Sequence, residues 1–183
     1  MNTTNKIIII DLESTCWEGS TGEYQRKHSE IIEIGVCILD RETGEVTQNE
    51  GILLKPVHSE VSAFCTKLTS LTAEMLESEG ITLAQACTIL SEKYNAAEYT
   101  WASYGGYDRT MLTEQCRRFN VAYPMSEDHI NVKVLFSETK RLKKGIGMSG
   151  ALKMIKVPLD GTHHRGMDDA RNIAQILKWI FSK

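Results

Sequence analysis

The chain has 183 residues, 42% of them apolar and 25% charged, with a formal net charge of −3. That length suits one domain with a sizeable core, and no apolar run approaches the roughly 20 residues of a membrane-spanning helix, so no membrane role is expected. The near-neutral total does not announce a nucleic-acid binder, but residues 1–108 carry 7 Lys/Arg against 17 Asp/Glu and residues 109–165 carry 11 against 5. An acidic cluster that needs a metal and a basic flank that tracks phosphates fit this arrangement; an uneven solvated surface fits it equally.

The start, Met1 to Lys6, is polar and lacks the apolar stretch of a signal peptide. Cys16, Cys37, Cys65, Cys87 and Cys116 form no Cys-x-x-Cys pair, which predicts a reducing cytoplasm and no disulfide framework. Ile7-Ile8-Ile9-Ile10 reads as a strand buried on both faces. It ends in Asp11 and Glu13, whose spacing puts both carboxylates on one face. Two buried carboxylates repel and would share a proton unless a cation lies between them. Hard oxygen ligands of this kind suit Mg²⁺ or Mn²⁺.

Ser14 to Ser29 reads as a loop rich in Gly, Ser and charge, with Trp17 either packed locally or stacking on a base. Ile31 to Leu39 and Val46 to Leu54 are two further strands. The short turn at 41–45 makes the first three strands antiparallel neighbours, and Pro56 ends the ladder. Ser62 to Thr72 is a mixed loop with short helical potential. Helices open at Thr72 and Thr82, both capping residues. Tyr99 to Tyr104 is a plausible fourth strand running into Gly105-Gly106, and Asp108 then sits near a helix start. Ile130 to Leu135 is a fifth strand or a strand–helix junction. Lys140 to Lys144 is basic, either a solvated face or a phosphate track. Ser149 is expected to cap a short helix through Ile155, and the last helix runs from about Met167 to Phe181. The whole is an α/β chain: a mixed five-stranded sheet, first three strands antiparallel, with helices on both faces.

Asp11, Glu13, Asp108 and Asp169 need one explanation, and His164 stands five residues before Asp169. Phosphodiester hydrolysis supplies it. Two divalent ions about 3.5–4 Å apart clamp the attacking and leaving oxygens, carboxylates hold the ions, and a neutral imidazole takes a proton from water near neutrality.

These residues resemble a known family. Asp11-Leu12-Glu13, Asp108 behind a tyrosine-bearing strand, and His164-Arg165-Gly166-Met167-Asp168-Asp169 resemble the DEDDh, or DnaQ-like, 3′-to-5′ exonucleases. The opening Asp11-Leu12-Glu13-Ser14-Thr15-Cys16-Trp17-Glu18-Gly19 is similar to the enhanced-RNAi and KapD-like subgroup. So are Glu30-Ile31-Ile32-Glu33-Ile34, Phe64-Cys65 with Leu68-Thr69 and Leu71-Thr72, and His164 through Ile173. The stretch Trp101 to Tyr107 departs from the pattern of those relatives.

The resemblance implies an RNase H-like fold and a single exonuclease domain over residues 1–183, core about 6–181, with no room for an added nucleic-acid-binding domain. It implies two Mg²⁺ or Mn²⁺ ions held by Asp11, Glu13, Asp108 and Asp169, with Asp11 bridging both. His164 would be the general base, and Glu13 is counted with it as catalytic. Leu12, Ser14, Thr15, Trp17, Leu68, Thr69, Leu71 and Tyr104 would bind substrate. The expected substrate is a single-stranded RNA or DNA 3′ end, the product a nucleoside monophosphate, and the setting cytoplasmic RNA processing. Two other readings stand beside this one: a regulatory or nucleic-acid-binding module of the same fold, and a polymerase proofreading subunit.

Overall fold

The computed structural model describes residues 5–183. Five strands form one sheet in the order β3-β2-β1-β4-β5. The isoleucine-rich β1 (Lys6–Ser14) lies at its centre. It runs antiparallel to β2 (Ile31–Asp40), with Glu13 opposite Glu33, and β2 pairs antiparallel with β3 (Val46–Leu53). On its other side β1 pairs in parallel with β4 (Trp101–Ser103), which pairs in parallel with β5 (His129–Asn131). The mixed sheet with three leading antiparallel strands is as expected.

Helices cover both faces because alternate side chains of β1 enter two separate apolar clusters. Ile8, Ile10 and Leu12 pack with Ala86 and Leu90 of α4 (Leu83–Glu92) and with Met111 and Leu112 of α5 (Tyr107–Arg118). Ile7 and Ile9 pack against α6 (Val132–Thr139), α7 (Met148–Met154) and α8 (Gly166–Phe181). Each of these buried isoleucines stabilises the fold by about 1.5–3 kcal/mol. Continuing the alternation places Asp11 and Glu13 on the α8 face. No helix among the described residues is long and apolar enough to cross a membrane.

Several elements differ from the sequence reading. The expected loop 14–29 contains α1 (Gly22–His28), capped by the Thr21 side chain, which accepts from the Tyr24 N–H. This helix buries no residue, so it has no apolar periodicity to detect. The mixed segment 62–72 holds α2 (Ala63–Thr69), capped by Ser62; α3 (Ala73–Glu79) and α4 follow the caps Thr72 and Thr82 as expected. The stretch 130–135 is a junction: Asn131 ends β5 and its side chain caps α6. Ser149 is not a cap. Gly147 occupies that position, and Ser149 lies in the first turn of α7.

Two glycines set the height of α8 over the sheet. A Cβ on Gly35 would run into the carbonyl of Gly166, and one on Gly166 would lie 2.8 Å from the Gly35 nitrogen and 3.2 Å from the Asp11 carbonyl oxygen. Only glycine at both positions lets the helix start touch β1 and β2. Gly35→Ala is therefore expected to cost about 3 kcal/mol, lowering the midpoint of thermal unfolding by roughly 6–12 °C. An unchanged midpoint would show that the two backbones do not meet.

Candidate active site

The acidic residues converge at the end of β1. One carboxylate oxygen from each of Asp11, Glu13 and Asp169 lies within 4.8 Å of the others. Strand parity supplies the first two, and the first turn of α8 supplies the third. Asp108 reaches the site through the turn after β4. Gly105, at φ +125°, reverses the chain, and Gly106 stands at the N-cap of α5. Asp108 is buried there, its Oδ1 accepting the Leu12 N–H at 3.0 Å. It stands outside the tight trio, braced against the backbone of β1.

Burial and crowding shift these acids strongly. Asp11 is raised well above the ordinary carboxylate range, first by burial and then by repulsion from Asp108, Glu13 and Asp169. Glu13 is pushed up to about 8 by burial, with Asp169, Glu33 and Asp108 adding repulsion. Asp108 rises to about 6, mainly by burial, its bond from Leu12 opposing. Asp169 is also raised by burial, against the hydrogen bond it accepts from the His164 N–H. Three crowded carboxylates within ligand reach of one another, Glu13 and Asp169 buried and Asp11 half-buried, fit a hard divalent ion, which would neutralise the repulsion.

The histidines divide the work around Asp169. The His164 backbone N–H donates to Asp169 Oδ2 at 2.9 Å, while the His163 ring Nδ1 meets the same oxygen at 2.9 Å and Oδ1 at 3.2 Å. The two rings stack at 4.0 Å. His164 has φ +65°, a left-handed conformation uncommon for a side-chain-bearing residue and often found at functional sites. Burial lowers its pKa, keeping the imidazole neutral and able to accept a proton. Asp168 serves the helix start: its carboxylate accepts from the Thr162 N–H and from Arg171.

The residues expected to bind substrate fall in different places. Ser14 Oγ lies 2.9 Å from the Tyr107 hydroxyl at the rim of the acidic group. The Leu12 side chain faces the opposite cluster, so only its backbone adjoins the site. Thr15 is buried, accepting from the Glu30 N–H and bonded to Ser59. The Trp17 ring meets Tyr24 edge-on at 5.5 Å. Leu68 is exposed, whereas Thr69 and Leu71 are buried; the Thr69 hydroxyl donates to the Cys65 carbonyl and Leu71 packs with Ile32 and Leu76. Tyr104 packs against the cluster beneath α6–α8, and its hydroxyl donates to the Ile146 carbonyl at 3.0 Å. Tyr107, 48% exposed and adjacent to Asp108, is the tyrosine that borders the site. Glu33, fully buried, accepts from the Arg165 guanidinium and from the Gly166 N–H, locking the His164 loop to β2.

A sheet of this order, with carboxylates gathered at the end of its central strand, defines an RNase H-like nuclease fold. The chain belongs to the exonuclease family RNase_T, whose model, described as Exonuclease, matches residues 8–177. It is 30% identical to "ERI1 exoribonuclease 2" of Mus musculus, over 94% of this chain and 28% of that protein. It is 28% identical to "3'-5' exoribonuclease 1" of Homo sapiens, over 93% of this chain and 50% of that protein. The chain thus spans half or less of the length of these curated relatives. Among solved structures, the nuclease domain of 3'hExo, a DEDDh family member bound to rAMP, superposes with a TM-score of 0.86 at 25% identity, covering 99% of this chain and 94% of that one. The expected resemblance to DEDDh exonucleases of the enhanced-RNAi type is found.

Proposed function

We propose that this chain is a divalent-metal-dependent 3′-to-5′ exonuclease that releases nucleoside monophosphates from single-stranded RNA 3′ ends. The observation that carries it is the meeting of Asp11, Glu13 and Asp169 with the His164 loop at one end of β1. Asp11, Glu13, Asp169 and Asp108 would hold two Mg²⁺ or Mn²⁺ ions. When bound, such ions supply charge stabilisation to the attacking and leaving oxygens of an in-line displacement. His164, neutral near pH 7, takes the proton from the attacking water. His163 and the His164 N–H orient the Asp169 carboxylate. Glu33, through Arg165 and Gly166, keeps the loop at the height the imidazole needs. Leu68, exposed on α2, offers an apolar face to the terminal nucleotide.

The choice of RNA follows the relatives, which are described as exoribonucleases. The five free cysteines accord with a reducing, cytoplasmic setting for RNA processing. Residues of about 6–181 act as one exonuclease domain in this reading. Matched RNA and DNA oligomers, single- and double-stranded, with free or blocked 3′ ends, test it with Mn²⁺ or with EDTA. Mononucleotides should leave 5′-labelled single-stranded RNA one at a time from the 3′ end, and a 3′ block or EDTA should stop release. Binding without hydrolysis across the whole panel would replace the enzyme with a regulatory module of the same fold.

A further inference from the structure

Beside the acidic group lies a cavity of about 420 Å³ that the hydrolytic reading does not use. That volume falls within the usual range for ligand pockets, about 300–1,000 Å³. Tyr107, Thr110 and Met111 of α5 line one side of it, and Glu23, Arg26 and Lys27 of α1 line the other. Tyr107 makes it continuous with the site. Its ring lines the cavity, its hydroxyl bonds Ser14 at the end of the catalytic strand, and its chain neighbour is Asp108.

The charge on this wall is available. Among the described residues neither Arg26 nor Lys27 is ion-paired. Glu114, which also borders the cavity, is engaged by Arg117 at 3.0 Å. Arg118 extends the basic rim, its guanidinium donating to the Lys27 carbonyl at 3.3 Å. The helix that presents Arg26 and Lys27 has no buried residue, so both side chains stand in solvent. The most conspicuous cation run in the sequence lies elsewhere: Lys140 sits over the Trp179 ring at 4.3 Å. Trp179 is about 15 Å along α8 from Asp169, at 1.5 Å per residue.

We infer that α1 and the start of α5 form a subsite for the nucleotide upstream of the scissile phosphate. Its base lies against Tyr107 and Met111, and its phosphate is held by Arg26 and Lys27. The inference rests on the exonuclease reading and deepens it, since it assigns the path of the single strand away from the metal-binding carboxylates. Unstacked bases on aromatic faces and phosphates beside free cations are the usual means of holding a single strand without reading its sequence.

The double variant Arg26→Ala/Lys27→Ala tests it, because both side chains are exposed on a helix that alanine favours. Two probes separate the subsites. A 5′-fluorescein uridine hexamer, titrated by fluorescence anisotropy with Ca²⁺, fills both. The p-nitrophenyl ester of thymidine 5′-monophosphate, followed by colour release with Mn²⁺, fills only the terminal one. The variant should bind the hexamer roughly 5–10-fold more weakly, with the slope of log affinity against log salt shallower by about 0.7 for each phosphate no longer neutralised. Its kcat/KM on the nucleotide ester should stay within about twofold of wild type, as nothing that meets the terminal nucleotide is altered. Unchanged hexamer affinity would overturn the subsite, as would an equal loss on both probes or a wild-type protein that does not bind the hexamer. Wild-type protein that binds the hexamer yet hydrolyses neither substrate would count against the exonuclease reading instead, while the anisotropy titration still decides the subsite.

Discussion

Asp11→Asn is expected to lower mononucleotide release by roughly 10⁴-fold or more, equivalent to at least about 5 kcal/mol of transition-state stabilisation, while making the metal-free protein more stable. Both effects follow from one position. Asp11 is the carboxylate most beset by its neighbours, raised by burial and by repulsion from Asp108, Glu13, Asp169 and Glu33. An amide of the same shape removes the charge that divalent ions require and also the repulsion that the empty cluster suffers. Core packing is unaffected, since Asp11 lies beyond the apolar Ile7–Ile10 run of the strand. Thermal unfolding in EDTA and release from 5′-labelled RNA with Mn²⁺ measure the two effects on one preparation. Turnover within tenfold of wild type would remove Asp11 from the reaction. A less stable variant would mean that the cluster is not the repulsive group its geometry describes.

The sequence discloses the parts of this site whose placement is local. The four isoleucines mark a buried central strand, and strand parity then puts Asp11 and Glu13 together. The Gly105-Gly106 turn marks where Asp108 enters a helix, and the spacing from His164 to Asp169 places a loop imidazole beside a first-turn acid. What stays hidden depends on long-range contact or on a single dihedral angle. The buried Glu33 carboxylate is paired with Arg165, which lies 132 residues away, and nothing local links them. The resemblance implies Tyr104 as a substrate residue, yet its hydroxyl turns to Ile146 and Tyr107, on the next element, borders the acids. Which of two adjacent imidazoles bonds Asp169 is decided by the left-handed backbone at His164, which gives that bond to the His163 ring and the backbone N–H of His164. Parity alone implies that the Leu12 side chain faces away from Asp11 and Glu13. The amphipathic signal that reveals α8 has no counterpart in α1, whose seven residues bury nothing.

The metal-free protein is expected to lose stability as pH rises from 5 to 8, with divalent ions reversing the trend. In the folded chain Glu13 holds its proton up to a pKa of about 8, against an ordinary 4.5. Between these values the unfolded chain binds fewer protons at this group, so its contribution to stability falls with rising pH across that window, and Asp11, also raised, acts in the same direction. Asp108, raised to about 6 from 3.8, adds a smaller loss over the lower part of it. Acids held low work in the opposite direction, but Asp40 and Glu50 titrate at or below their ordinary values of 3.8 and 4.5, so their contribution is nearly constant over most of the window. His164, lowered from 6.5, favours the fold only as pH rises to that value, and its partial exposure keeps the effect small. The net loss is about 4 kcal/mol at about 1.4 kcal/mol per pH unit, and the unfolding midpoint in EDTA should fall by roughly 8–16 °C between pH 5 and pH 8. Ions bind only the ionised carboxylates, so saturating Mn²⁺ adds stability that grows with pH; at a hundredfold excess over the dissociation constant it amounts to about 2.7 kcal/mol. Glu13→Gln should make the metal-free slope shallower, since it removes one of the raised carboxylates and the repulsion it exerts on the others. A midpoint in EDTA that stays level or climbs from pH 5 to pH 8 would show that the carboxylates at the end of β1 do not crowd one another in the folded protein, and the case for a divalent ion among them would fall with it.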